Sequence, residues 1–131
     1  MEGDVFILTD ANFEEIVYGS EDIWMVEIYA PWCGHCKKLT PHWAAAATNL
    51  KGKVNFGKVD ATVHTALKTR FEIKGFPTLF HWGHGVDQKK DGLQVKYASK
   101  RDTEGLTAFA SDLHSKAFPD AAATEEVPAA G

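Results

Sequence analysis

Hydrophobic and polar positions along this chain switch between a strand rhythm and a helix rhythm. Val5-Phe6-Ile7-Leu8 is a short apolar run of strand length. Asp10 to Val17 follows as a helical stretch that Asp10 or Asn12 is placed to cap, and Asn12-x-x-Glu15 has the form of a capping box. Ile23 to Ala30 is apolar on both faces except at Glu27, the pattern of a central parallel strand covered from both sides. A helix then opens at Cys33-Gly34-His35-Cys36 and is predicted to reach about Leu50. Alanines 44–47 favour it, and Pro41, which removes one helical hydrogen bond, predicts a kink rather than a break.

Val54 to Val59 reads as the next strand, and Thr62 to Arg70 or Phe71 as a helix with Val63, Leu67 and Phe71 along one face. Gly75-Phe76-Pro77-Thr78 is a turn into strand Leu79–Trp82. Gly83 and Gly85 punctuate a loop, and Leu93–Tyr97 predicts a strand antiparallel to its predecessor. Ser99-x-x-Asp102 can cap a last helix with a Leu106, Phe109, Ala110, Leu113 stripe. This order of elements predicts an α/β fold with parallel crossovers. After Phe118-Pro119 the sequence turns rich in Ala, Glu and Pro. The expectation is one ordered domain over residues 1–118 and a disordered tail or interdomain linker over 119–131.

Composition narrows the function. At 131 residues, with 44% hydrophobic and 24% charged positions, the chain is long enough to bury a core without staples. Its 14 Lys+Arg against 18 Asp+Glu leave a net charge of −4, which gives no electrostatic footprint for nucleic acid. No apolar run approaches the roughly 20 residues that span a bilayer. Met1-Glu2-Gly3-Asp4 lacks the basic start of a signal peptide, so the expectation is a mature or excised domain.

Both cysteines of the chain lie in Ala30-Pro31-Trp32-Cys33-Gly34-His35-Cys36-Lys37. At the start of a helix, two cysteines spaced i, i+3 share a face, and the unpaired N–H groups and positive dipole end of the helix favour a thiolate at Cys33. The thiolate is the nucleophile. Cys36, one turn in, is the natural resolving thiol. His35 can add to the stabilisation, which makes the disulfide easier to reduce and the pair more oxidising. Trp32 flanks the exposed sulfur, and Gly34 is expected to keep the turn narrow. A static disulfide would close too small a loop to stabilise much. A zinc site lacks a second ligand pair, since His81 and His84 are too closely spaced. Neither a metal nor a prosthetic cofactor is therefore expected. Glu27 is costly inside an apolar strand unless it has a partner or a task, and burial would raise its pKa into the range of a proton acceptor. Lys58, which interrupts the next strand, is its natural partner; the alternative is that both face solvent.

These residues resemble the thioredoxin superfamily, and within it the catalytic domains of protein disulfide isomerases. The likeness extends through Leu8-Thr9-Asp10-x-Asn12-Phe13, Trp24 to Tyr29, Lys58-Val59-Asp60-Ala61-Thr62 and Gly75-Phe76-Pro77-Thr78, covering roughly Val5 to His114. Pro41-x-Trp43 and the alanines after it further resemble the branch with two active domains followed by an inactive one. The resemblance implies a thioredoxin fold, a mixed central β-sheet flanked by α-helices. It implies thiol–disulfide exchange on cysteine-containing unfolded or misfolded proteins in the endoplasmic reticulum lumen. Glutathione or an oxidase would be the redox partner, and the chain a monomeric domain of a longer protein. It also implies a cis peptide before Pro77, in a loop where Phe76 and Pro77 face the cysteines and pair with substrate. Glu27 and Lys58 would form a buried pair behind Cys36, and Arg101 would lower the pKa of Cys36, although Ser99 stands where a glycine is usual. A thioredoxin-like reductase and a peptide-binding chaperone module are the alternatives. Lys37, Lys38 and His42 are expected on a solvated helix face.

Overall fold

A computed structural model describes residues 3–119. Among the described residues are five strands and three α-helices. They are β1 (Val5–Leu8), β2 (Ile23–Tyr29), α1 (Gly34–Asn49), β3 (Val54–Asp60), α2 (Thr65–Arg70), β4 (Thr78–Trp82), β5 (Val95–Lys96) and α3 (Thr103–Ala117). The sheet order is β1-β3-β2-β4-β5, which puts the most apolar strand at the centre. β1, β3 and β2 run parallel, whereas β4 is antiparallel to β2 and β5 to β4.

The two faces of β2 feed two cores. Ile23 and Met25 join a cluster with Leu39, Trp43 and Ala46 of α1 and Leu106 and Ala110 of α3. Trp24, Val26 and Ile28 point the other way, into Phe13, Val17, Leu67 and Phe71. By this alternation Glu27 lies on the face that α1 covers. Trp43 ties α1 to the sheet by donating its Nε1–H to the Gly57 carbonyl at 3.1 Å. Gly57 is needed for packing, because a Cβ there would sit 2.5 Å from Leu8 Cδ1 and 3.2 Å from Trp24 Cζ3. The helix α1 runs unbroken through Pro41.

Several local expectations are corrected. The stretch after β1 forms a short π-helical turn, Glu14–Tyr18, without a side-chain cap. Asn12 Oδ1 instead accepts from Thr9 N–H at 2.7 Å. Asp10 does cap a helix, but a distant one: its carboxylate accepts from Ala66 and Leu67 N–H at 3.4 and 3.0 Å at the start of α2. That helix begins at Thr65 because Asp60 holds residues 62–64 in a turn, accepting from Thr62 N–H at 2.9 Å through its side chain. Val63 is therefore outside the helix and 65% exposed. Strand β5 keeps only Val95 and Lys96 of the expected Leu93–Tyr97, and Leu93 is exposed. Asp102 alone caps α3, accepting from Gly105 N–H at 2.7 Å. Apart from Pro119, the segment expected as tail or linker lies outside the described residues. No helix among the described residues is long and apolar enough to cross a membrane.

Candidate active site

Strand β2 ends at Tyr29, and Ala30-Pro31-Trp32 carries the chain over the sheet edge to Cys33, the N-cap of α1. Cys33 has extended backbone (φ −77°, ψ 120°), and its Sγ accepts from Cys36 N–H at 3.3 Å. Sulfur thus takes the place that a Ser or Asp oxygen fills in an ordinary N-cap. On its other side, the Cys33 thiol donates to the Phe76 carbonyl at 3.7 Å. The Phe76–Pro77 peptide is cis. The turn that looks local in sequence is therefore built against the cysteines from 43 residues away.

Both sulfurs are shielded, Cys33 being 7% and Cys36 2% exposed. Burial pushes the Cys33 thiol up. Hydrogen bonds from the Cys36 thiol and from the backbone N–H groups of Cys36 and His35 outweigh it, and the net direction is below the ordinary thiol value. Cys36 moves the opposite way: burial raises it first, its hydrogen bond to Cys33 adds to that, and the neighbouring charges of Cys33 and Glu27 raise it further. The pair is split into a sulfur that ionises easily and one that needs help to do so.

Glu27 is that candidate help. It is 2% exposed, and burial pushes its carboxyl from 4.5 to about 7 against the opposing pull of Lys58 and Arg101. Lys58 stands directly opposite it in the parallel register of β2 and β3. Both line a cavity of about 200 Å³ that also touches Thr40 and Trp43 of α1. Thr40 Oγ1 donates to the Cys36 carbonyl at 3.0 Å, so the cavity reaches the turn that carries Cys36.

Trp32 is 70% exposed and meets the Phe76 ring edge-to-face at 5.8 Å, forming an apolar step beside Cys33. Gly34 is not required by the turn: a Cβ there would meet nothing within 4 Å. The His35 side chain is exposed, and the influence of this residue on Cys33 runs through its backbone N–H. Arg101 lines two depressions, one with Phe76 and Pro77 and one with His35. Its loop is pinned. Tyr97 Oη–H donates to the Lys100 carbonyl, and Gly105 lets the loop approach, since a Cβ there would lie 2.7 Å from Lys100 Cβ.

His42 corrects an expectation. Lys37 and Lys38 are exposed, but His42 is half-buried, and its Nδ1 accepts from Thr103 N–H at 3.1 Å and lies 2.9 Å from Thr103 Oγ1. It joins α1 to the first residue of α3. The i, i+3, i+4, i+7 spacing of His35, Lys38, Leu39 and His42 was the signal for this shared face. Among the described residues no group of three or more His, Cys, Asp or Glu is placed to hold a metal ion.

The thioredoxin family model matches residues 4–112. The chain belongs to the thioredoxin family. Its curated relatives are of the disulfide-isomerase type. It is 51% identical over 114 residues to protein disulfide-isomerase A6 homolog of Caenorhabditis elegans, covering 80% of this chain and 26% of that protein. It is 47% identical over 120 residues to human protein disulfide-isomerase A6, covering 88% and 26%. Among solved structures, the first thioredoxin domain of mouse protein disulfide-isomerase A4 matches with TM-score 0.70 and 32% identity, over 86% of this chain and 77% of that one. The Trx4 domain of ERdj5 matches with TM-score 0.72 and 28% identity, over 83% and 94%. The chain spans about a quarter of the length of the curated relatives it matches.

Proposed function

We propose that this domain forms and rearranges disulfides in folding secretory proteins through Cys33 and Cys36. The observation that carries this reading is the placement of Cys33 Sγ. It caps α1 at 3.3 Å from Cys36 N–H and lies beside the Phe76 carbonyl at 3.7 Å. A nucleophilic sulfur and a backbone edge for an extended substrate therefore sit together.

In the oxidising direction, a substrate thiolate attacks Cys33 of the Cys33–Cys36 disulfide and releases the Cys36 thiolate. A second substrate thiolate attacks the substrate sulfur of the mixed disulfide, forms the substrate disulfide and expels the Cys33 thiolate. Two electrons pass from substrate to enzyme. In isomerisation the reduced enzyme attacks a wrong disulfide through Cys33, and Cys36 frees it if reshuffling stalls. Glu27 takes the Cys36 proton when that thiol must attack, with Lys58 holding the carboxylate's charge and Arg101 favouring the Cys36 thiolate. Trp32, Phe76 and Pro77 form the surface against which substrate lies. His35 contributes its backbone N–H, and an imidazolium there would tilt the pair further towards oxidation.

The relatives support an endoplasmic reticulum lumen setting and a place in a longer multidomain chain, and glutathione or an oxidase serves as redox partner in this reading. Recovery of a scrambled disulfide protein tests the reading. Wild-type domain is expected to restore activity, Cys33→Ser to abolish it, and Cys36→Ser to trap mixed disulfides. Equal recovery with both cysteines replaced would leave a peptide-binding chaperone as the better account.

A further inference from the structure

Beside the cysteine turn, α1 and the loop before α3 line an open depression of about 480 Å³ whose polar lining is His35, Lys38, His42, Lys100, Arg101 and Asp102. We infer that this pocket is a carboxylate subsite, which holds an acidic group of the disulfide substrate next to the reacting sulfurs.

Charge is the first reason. Three basic side chains, Lys38, Lys100 and Arg101, share the lining with one carboxylate, on a chain whose net charge is −4. The carboxylate is already engaged: Asp102 Oδ1 accepts from Gly105 N–H at 2.7 Å as the cap of α3. A depression of one sign within a surface of the other concentrates oppositely charged ligands. Preorganisation is the second reason. The Tyr97 hydroxyl, the Asp102 cap and the close approach at Gly105 fix the loop that carries Lys100 and Arg101. Because Thr103 N–H can only donate, His42 Nδ1 serves as its acceptor, which leaves Nε2 as the ring nitrogen available to donate. His42 itself lines the pocket, so the ring that ties α1 to α3 also forms part of its wall.

Position is the third reason. Arg101 also lines the groove that contains Phe76 and Pro77, and the Phe76 carbonyl accepts from Cys33. His35 follows Cys33 by two residues on the same helix. A carboxylate in the pocket therefore belongs to a group flanking the sulfur under attack. Two sources share this chemistry, the carboxylates of glutathione and an acidic residue flanking a substrate cysteine.

This inference rests on the thiol–disulfide reading above. Oxidation of the reduced domain by glutathione disulfide tests it. The Cys33 thiolate attacks one sulfur and releases one glutathione thiolate, and the Cys36 thiolate then displaces the second. The cysteine pair loses two electrons and glutathione disulfide gains them. Rates would be measured for glutathione disulfide, for its carboxylate-esterified form, and for peptide disulfides with Asp or Asn beside the cysteine.

The double variant Lys38→Glu/Lys100→Glu is expected to slow glutathione disulfide by about tenfold at low salt and to leave the ester within about twofold. Lys51→Glu/Lys116→Glu makes the same net-charge change on remote surface ion pairs and is expected to spare both. A parallel loss with the Asp-flanked peptide assigns the pocket to acidic flanks in general. A loss confined to glutathione assigns it to that tripeptide. Equal slowing by the two double variants, or equal slowing of acid and ester, overturns the subsite. If wild-type domain reacts with none of the disulfides, the thiol–disulfide reading itself fails.

Discussion

Replacing Glu27 by Gln removes a buried charge from the centre of the sheet, and burial sets the sign of the effect. Burial holds this carboxyl at about 7 instead of 4.5. Each tenfold change in proton affinity corresponds to about 1.4 kcal/mol, so the ionised side chain destabilises the folded state by about 3 kcal/mol. Below about pH 4.5 both states bind the proton and the penalty is absent. Between about 4.5 and 7 the unfolded chain loses it first, and the stability of the wild type falls as pH rises. Above about 7 the full penalty applies. The glutamine variant has no such window. Urea unfolding of the two reduced proteins from pH 4 to pH 8 should give equal stabilities at the acid end, with the variant ahead by about 2–3 kcal/mol at the alkaline end. The same substitution should slow the attack of Cys36 on a mixed disulfide by about 10²-fold and largely spare the first attack by Cys33. A stability difference that stays constant with pH would refute the burial reasoning, and unchanged release of mixed disulfides would remove Glu27 from the mechanism.

Substitutions at three other positions probe the scaffold. Gly57→Ala should cost about 1–3 kcal/mol in urea unfolding, because its Cβ would meet fully buried Leu8 and Trp24. Glu72→Gly should raise stability by up to about 1 kcal/mol, since Glu72 (φ 50°) occupies the left-handed position after α2 that favours glycine. His42→Leu should lose about 1 kcal/mol by leaving Thr103 N–H without its acceptor, and His42→Asn should recover part of it; equal losses would show that the hydrogen bond contributes nothing.

Legibility in the sequence followed the range of the interactions. The central strand, the helix opening at Cys33 and the cost of burying Glu27 could be read, because each depends on a short window and one periodicity. The antiparallel pairing of β5 with β4 could be read from their closeness along the chain, whereas the reversal of β4 against β2 departs from the parallel crossovers that the order of elements predicts. What escaped depends on neighbours far along the chain. Asp10 caps α2 across 57 residues, and His42 reaches Thr103 across 61. Nothing in either local pattern names the partner. Gly105 looks like a poor helix residue until the loop carrying Arg101 is laid against it. Gly34, conversely, looked necessary to the turn, yet the space around it is open. The site is thus legible where its chemistry sits on one element and hidden where two elements build it together.

The most direct test of the central claim is the reduction potential of the Cys33–Cys36 pair, from a glutathione redox titration of the domain. A thiolate stabilised at Cys33 favours the reduced form, so the potential should lie near the roughly −180 mV of protein disulfide isomerases. A value near the roughly −270 mV of thioredoxin would contradict the account and assign the domain to a reductase.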